Sequence, residues 1–259
     1  MDNMTEEIDE MTSEMEEMQE RINELENMTS CRLVPYSNCA GADFNNTNLS
    51  GMDLTGINFQ NANLRYANLG DSTLAEADLT NAYLRYANLT GTDLRFADLR
   101  IADLWYADLT HAQLRHTDLT RADLIFADLT DANLYSADLT DANLDGADLT
   151  DADLWHADLT RTDLSNADLS NADLWSASLP GANLYNADLT RAYLSNADLS
   201  NANFEDADLT EAVLNYADLT NADFQDADLE DATLVEADLK FAKFSGATVT
   251  GANFDDTYW

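Results

Sequence analysis

The sequence predicts an all-β solenoid, a four-sided parallel β-helix preceded by a short N-terminal α-helix. Two observations predict this fold. A five-residue repeat runs without insertion or deletion from Ala42 to Phe254, and apolar residues alternate in steps of four and three over residues 4–28. Unbroken repeats of this kind are the signature of solenoids, in which each unit packs on its neighbours. We therefore divide the chain into a helix, residues 1–30, and a β-helix, residues 31–259.

The N-terminal segment has the pattern of an acidic coiled coil. Its apolar residues fall at alternating a and d positions of a heptad repeat, and β-branched residues at two a positions favour a parallel dimer. These residues are Met4, Ile8, Met11, Met15, Met18, Ile22 and Leu25. More than three heptads in register predict a homo-oligomer formed through this helix. The alternative is a helix that folds back and caps the solenoid.

Each repeat centres on an apolar residue, here called position i. It is Leu or Phe in all 43 repeats from Phe44 to Phe254 except at Val249, and position i−2 is mostly Ala. Side chains alternate along a strand, so positions i−2 and i face inward while the Asp or Asn at i−1 faces outward. An odd period would reverse the next repeat unless the chain turned at i+1 and i+2. Each repeat is therefore predicted to be a short extended side followed by a corner.

The number of sides follows from two kinds of repeat that alternate. Repeats centred on numbers ending in 9 mostly read Ala-Asp-Leu-Thr, whereas those centred on numbers ending in 4 carry large, varied residues. An even number of sides keeps the two kinds on separate faces. Four sides give a 20-residue coil, in which Tyr66, Tyr86 and Tyr106 stack. Coils about 4.8 Å apart then predict a rod of about 50 Å.

The exposed ends of a solenoid need caps. At the N-terminal end the register extends back through Cys39 and Val34 as a first, irregular coil, and at the other end Tyr258 and Trp259 are the predicted lid. Two cysteines are too few for the disulfide framework of a secreted domain. We therefore expect free thiols, with a local Cys31–Cys39 bridge as the alternative.

Charge limits the partners and the location. The chain has 50 acidic and 12 basic residues, a formal net charge of −38. Such a charge repels nucleic acid and anionic membranes, so neither is expected as a partner. With Lys240 and Lys243 as its only lysines, the acidic surface is also what a salt-rich, halophilic cytoplasm favours. The acidic start lacks the basic region of a signal peptide, and no apolar run reaches membrane-spanning length, so we expect a cytoplasmic protein.

Aspartates at position i−1 form ladders at the spacing of the coils. Neighbours about 5 Å apart repel by about 0.8 kcal/mol in water. One ladder is Asp98, Asp118, Asp138 and Asp158, and the other is Asp108, Asp128, Asp148, Asp168, Asp188, Asp208 and Asp228. Salt, backbone hydrogen bonds or non-specifically bound cations must offset this repulsion. The simpler interpretation is a solvated acidic face, and the functional alternative is a surface that mimics DNA.

The motif Ala-(Asp/Asn)-Leu-x-x resembles that of the pentapeptide repeat family over more than four-fifths of the chain. The resemblance implies a right-handed, quadrilateral β-helix. Family members that confer quinolone resistance resemble B-DNA in shape and charge and bind DNA gyrase, which implies a type II topoisomerase or another DNA-binding protein as partner. This sequence differs from those members because it shows no projecting loop between coils and no helical module after Phe254.

Catalytic and metal-binding groupings are not found in the pattern. The three histidines, His111, His116 and His156, all fall at outward corner positions. His116 and His156 share a face but lie two coils, or about 10 Å, apart, which is too far to share a metal ion. Straight faces also offer no cleft. We therefore predict no enzymatic activity, no cofactor and no specific metal site.

Arginine and aromatic residues are concentrated at two corners. Arg, Tyr and Trp contribute most to the energetics of protein interfaces. The first cluster is Arg65, Tyr66, Arg85, Tyr86, Trp105, Tyr106, Ile125 and Phe126; the opposite face carries Arg95, Phe96, Arg115, His116, Tyr135, Trp155, His156 and Trp175. We predict that the first cluster binds a protein partner or a second copy, so that the chain acts as an interaction scaffold. The alternative is a ring ladder that only stabilises the stacking of coils.

Overall fold

The computed structural model describes residues 31–259, which form one four-sided β-helix. In every repeat, position i−1 pairs in parallel with the residue twenty positions later, and positions i+1 and i+2 form a turn. This pairing is unbroken from Asn38 with Asn58 to Asp238 with Tyr258. The predicted corners, the 20-residue coil and the four sides are confirmed.

Within residues 31–259 the extended sides are short. Each contributes one paired residue, and no longer strand and no helix occurs there. This part of the chain therefore has no helix long and apolar enough to cross a membrane. The predicted helix of residues 4–28, with its seven heptad positions, lies outside the described residues.

The four sides are named here by their inward residues, which recur every twenty positions. Side 1 runs from Phe44 to Phe244, side 2 from Leu49 to Val249, side 3 from Leu54 to Phe254 and side 4 from Cys39 to Trp259. Sides 2 and 4 carry the two Asp ladders. Sides 1 and 3 carry the varied residues, as the alternation of repeats predicted.

Backbone hydrogen bonds link each coil to the next. Around Leu64, for example, its N–H donates to the carbonyl of Tyr83 at 2.8 Å, the N–H of Tyr83 donates to Ala62 at 2.9 Å, and the N–H of Tyr66 donates to Arg85 at 3.0 Å. The corner is closed by the N–H of Ala67, which donates to the carbonyl of Leu64 at 3.0 Å. The corner and both flanking coils thus accept four of the five backbone N–H groups of such a repeat, at positions i−2, i−1, i and i+2.

The core is one side chain deep on each wall. Leu or Phe at i and Ala at i−2 are almost fully buried along the rod, up to Leu239 on the C-terminal side. On side 1, Phe204, Phe224 and Phe244 stack with ring centroids 4.8 and 4.9 Å apart. Where Thr replaces the inward Ala, its hydroxyl is satisfied: Thr92 donates to the carbonyl of Leu69 at 2.9 Å. These observations confirm the inward assignment.

The two ends depart from the sequence-based expectations. Cys31 and Cys39 form a disulfide, so the expectation of free thiols is wrong. Cys39 is buried on side 4, as the extended register predicts, but Val34 is half exposed. At the other end Trp259 packs on Phe254, with ring centroids 5.9 Å apart. Tyr258 takes the outward i−1 position, so only Trp259 covers the core.

Candidate protein-interaction surface

The first cluster forms a continuous ring stack along the corner between sides 1 and 2. Tyr66 and Tyr86 lie 5.0 Å apart and 3° from parallel, and Tyr86 and Tyr106 lie 5.3 Å apart at 5°. Phe126 continues the stack 5.1 Å from Tyr106. The stack ends over Gly146, where a Cβ atom would overlap the ring of Phe126. We call these four aromatic residues, together with Arg65, Arg85, Trp105 and Ile125, the aromatic corner.

The rings of the aromatic corner extend from an unusual backbone conformation. Tyr66 and Tyr86 both have φ of 57°, and Phe126 has φ of 55°. The left-handed region costs an L-residue with a Cβ roughly 1–2 kcal/mol, which is why Asn and Gly are common there. A stacked aromatic pair contributes about 0.5–1.5 kcal/mol beyond its burial, so two stacked neighbours offset much of that cost.

The arginines of the aromatic corner lie over aromatic rings of the next coil. The guanidinium of Arg65 lies 4.4 Å from the ring centre of Tyr83, and that of Arg85 lies 4.9 Å from Trp105. Arg85 also donates from Nε to Oδ2 of Asp103 at 2.6 Å. The i+1 side chain of one coil therefore reaches the i−1 and i+1 side chains of the next coil on the same side.

The structure brings all eight predicted interaction residues together on four adjacent coils. The ring ladder that the sequence left as an alternative is present, because each ring stacks on its neighbour. The ring edges nevertheless remain accessible: Tyr66 is 53% exposed, Tyr86 41% and Phe126 44%. Stacking within the rod and contact with a partner are therefore compatible, since the first uses the ring faces and the second uses the edges.

A second aromatic row follows side 3 and the corner after it. His116 stacks on Phe96 with centroids 5.0 Å apart, and His156 stacks on Trp155 at 5.3 Å. Trp155 and Trp175 meet edge to face at 5.1 Å. The sequence placed His116 and His156 on this face with the aromatic residues, and the structure shows that their rings stack within the row.

The Asp ladders are held by the backbone. In each repeat of this type Oδ1 of the i−1 aspartate accepts the N–H of residue i+1, as for Thr110 on Asp108 at 3.0 Å and Thr130 on Asp128 at 3.0 Å. At Asp53 the hydroxyl of Thr55 also donates to Oδ1, at 2.7 Å, and these bonds hold the pKa of the Asp53 carboxyl below its usual value. Of the three predicted ways to offset the ladder repulsion, the structure shows backbone hydrogen bonds.

The family model for pentapeptide repeats matches eight copies, in overlapping segments that together span residues 37–258. The chain belongs to the pentapeptide repeat family. Its β-helix is accordingly right-handed. Comparison with curated protein sequences finds no match.

Solved structures of other pentapeptide repeat proteins are similar to this chain. HetL from the cyanobacterium Nostoc sp. strain PCC 7120, a protein involved in heterocyst differentiation regulation, is 38% identical, with 83% of this chain and 90% of HetL covered and a TM-score of 0.41. QnrB1, a plasmid-mediated fluoroquinolone resistance protein, is 19% identical, with 78% and 91% covered and a TM-score of 0.50. At 19% identity, the likeness to QnrB1 supports the fold alone.

Within residues 31–259 no three His, Cys, Asp or Glu side chains are placed to hold one ion. His111 lies at a different corner from the aromatic row, with Nδ1 3.6 Å from Asp131. The outward side chains of the described part of the chain offer stacked rings, guanidinium groups and carboxylates.

Proposed function

We propose that this protein is a non-enzymatic scaffold, an acidic rod that binds a protein partner through the aromatic corner. The observation that carries the proposal is the stack of four half-exposed rings flanked by Arg65 and Arg85 on a chain with a net charge of −38. Aromatic and arginine residues are enriched where binding energy concentrates, and exposed apolar patches of this kind commonly mark interaction sites.

The aromatic corner is tested by removing rings that are exposed but not needed for the core. We expect Tyr66→Ser with Tyr86→Ser to abolish capture of a specific protein from a lysate of the source cells, with direct binding of that purified protein measured next. The matched control is Tyr185→Ser with Tyr216→Ser, which removes two exposed tyrosines elsewhere on the rod. Equal retention of the same protein by both double variants would contradict the proposal.

A second candidate function is mimicry of DNA, in which the rod occupies the DNA-binding surface of a type II topoisomerase or another basic protein. Residues 1–30 hold eleven acidic residues and one arginine, so residues 31–259 carry 28 of the 38 net negative charges. Spread over a rod of about 50 Å, this is one charge per roughly 1.8 Å, close to the value of about 1.7 Å for B-DNA. This charge density is the observation that favours mimicry.

Mimicry and the aromatic corner make different predictions. If the ladders bind, purified DNA gyrase should bind the rod, and Asp→Asn changes along side 2 at Asp128, Asp148 and Asp168 should weaken binding strongly at low salt. If the aromatic corner binds, the same changes should have little effect. Failure of gyrase to bind at both low and high salt would eliminate mimicry of DNA toward this enzyme.

Self-association through residues 4–28 is a separate proposal that rests on the heptad pattern alone. A coiled coil would present two or more rods to one partner and raise the effective concentration of the second contact. Cytoplasmic location likewise remains a prediction from the sequence.

A further inference from the structure

Side 3 carries an open depression that is lined by residues of neighbouring coils. It has a volume of about 260 Å³ and is lined by Trp155, Asp173, Trp175, Tyr193 and Ser195. None of these five side chains is basic, and one is a carboxylate. The depression spans three successive coils and lies on the side opposite side 1, so it is distinct from the aromatic corner.

The chain shows what an Asp and a Trp in this arrangement can bind. Asp103 at i−1 and Trp105 at i+1 share one side of a coil, and together they hold the guanidinium of Arg85 from the preceding coil. Nε of Arg85 donates to Oδ2 of Asp103 at 2.6 Å, while its Cζ lies 4.9 Å from the ring centre of Trp105. The guanidinium thus makes a charge-assisted hydrogen bond and a cation–π contact together.

Asp173 and Trp175 occupy the same two positions on side 3. The N–H of Trp175 donates to Oδ1 of Asp173 at 3.0 Å, which leaves Oδ2 for another donor. The position equivalent to Arg85 is Trp155, and no side-chain donor to Oδ2 of Asp173 is found within residues 31–259. Here the acceptor and the ring are present without the arginine.

The same acceptor is used at another coil by a different donor. Nε2 of Gln60, at i+1, donates to Oδ2 of Asp78, at i−1 of the next coil on side 4, at 2.6 Å. The geometry in which Oδ2 accepts from the coil before it is therefore a property of the fold, and not of Arg85 alone. At Asp173 the ring of Trp155 forms a wall of the site instead of filling it, and Tyr193 forms another wall.

We propose that this depression binds the guanidinium group of an arginine side chain carried by a partner protein. The net charge of −38 draws a cation toward the rod, the carboxylate of Asp173 supplies the charged acceptor, and Trp175 supplies the ring face. A planar guanidinium uses both features at once, whereas a lysine ammonium is a compact, more strongly hydrated charge. Because it supposes a protein partner, this inference rests on the proposed function, but it concerns a different surface.

The test is an NMR titration of the full chain with N-acetyl-arginine methylamide, observing the indole N–H signals of the four tryptophans. We expect the signals of Trp155 and Trp175 to shift, while Trp105, already in contact with Arg85, and Trp259 stay in place. The citrulline analogue, which has the same shape without the charge, should cause no comparable shift. The lysine analogue should bind about threefold more weakly, because its ammonium is more strongly hydrated than a guanidinium and lacks the planar fork of donors.

Three variants assign the effect to the site. Asp173→Asn should weaken binding about fivefold, the loss expected for a charged acceptor worth about 1 kcal/mol. Asp168→Asn on side 2 removes the same charge close by in the chain and should change the affinity less than twofold. Trp155→Arg should place a guanidinium on Asp173 from within the chain, as Arg85 does on Asp103, and abolish binding without altering the backbone spectrum.

Equal shifts with the citrulline analogue, tighter binding of the lysine analogue, or equal losses in Asp173→Asn and Asp168→Asn would each overturn the assignment. So would full binding by Trp155→Arg. Because the titration uses a blocked amino acid, its failure is separate from that of the aromatic corner, which is tested with a protein partner. A rod whose partner binding depends on Tyr66 and Tyr86 but which ignores the arginine probe would keep the proposed function and lose this inference.

Discussion

Replacing one ladder aspartate by asparagine tests how the rod tolerates its charge. Asp148 lies on side 2 between Asp128 and Asp168, and its Oδ1 accepts the N–H of Thr150 at 2.9 Å. Asparagine offers the same acceptor, as Asn143 does for the N–H of Asp145 at 3.1 Å. Asp148→Asn therefore keeps the backbone hydrogen bond and removes only the charge.

The magnitude follows from the spacing of the coils. Two carboxylate neighbours about 5 Å away each repel Asp148 by about 0.8 kcal/mol in unscreened water, or about 1.7 kcal/mol together. A Debye length of about 8 Å in 0.15 M salt reduces this sum to about 0.9 kcal/mol, and one of about 3 Å in 1 M salt reduces it to about 0.3 kcal/mol. Asparagine also gives up the charge-assisted part of the hydrogen bond, which lowers the net gain at every salt concentration.

Asp53→Asn is the control, because the neighbouring residue of its column on the next coil is Thr73 and not an aspartate. It loses two charge-assisted bonds, from the N–H and the hydroxyl of Thr55, without relieving a ladder, so the salt dependence of the difference isolates the ladder repulsion. We expect urea unfolding, in which ionic strength can be varied freely, to show Asp148→Asn more stable than Asp53→Asn at 0.15 M salt, and this difference should shrink by about 0.6 kcal/mol at 1 M. A difference that is zero, reversed or independent of salt would refute the reasoning.

Further predictions concern the core, the ends and pH. Leu144→Asp places a charge in a fully buried apolar position and should cost several kcal/mol, which a circular-dichroism melt would show as a large loss; a melt like that of the wild type would mean that the position does not face inward. Reducing the Cys31–Cys39 disulfide should cost roughly 2–3 kcal/mol, confined to the first coil, as seen by hydrogen exchange; uniform loss along the rod would contradict this. The pKa of Asp53 is lowered in the folded chain, so its stabilising contribution is present above the unfolded pKa and lost as pH falls through the folded one; Asp53→Asn should remove that part of the acid sensitivity, and an unchanged acid-unfolding curve would argue against it. Deleting residues 1–30 should give a monomer by light scattering, and an unchanged mass would exclude the coiled coil.

The fold could be predicted from the sequence because the same five-residue period determines the corners, the number of sides and the residues of the core. A period of five with Leu at i forces a corner in each repeat, and the alternation of two repeat types selects four sides. The structure agrees at Leu144 in the core, at Asp148 on side 2 and at the pairing of Tyr66 with Tyr86 across coils. Strict repeats leave few alternative registers, so local and global preferences coincide.

The contacts at the two ends of the rod were harder to predict from the repeat, because they depend on side-chain geometry within one coil. Cys31 lies before the first paired residue, where the period gives no information about its distance from Cys39. Of the two predicted lid residues, only Trp259 falls on the inward position i, and the register followed to the last residue would have shown this.

The sequence predicted where the interaction residues lie on the rod, but not which side chains they contact. Spacing placed Arg85 beside Tyr86 on one corner. It did not show that Arg85 is already bound to Asp103 and Trp105, because that contact runs diagonally between coils. The same diagonal rule places Asp173 and Trp175 at the positions of Asp103 and Trp105, with Trp155 in place of an arginine on the preceding coil.

The most direct test of the central claim is the affinity of the captured partner for three forms of the rod at 0.1 M and 1 M salt. If the aromatic corner is the contact, Tyr86→Ser should weaken binding about tenfold or more at both salt concentrations, as expected for loss of a contact worth at least about 1.4 kcal/mol. Asp148→Asn should then bind within twofold of the wild type. Binding that survives Tyr86→Ser but falls with Asp148→Asn and with added salt would contradict the account and favour the Asp ladders as the functional surface.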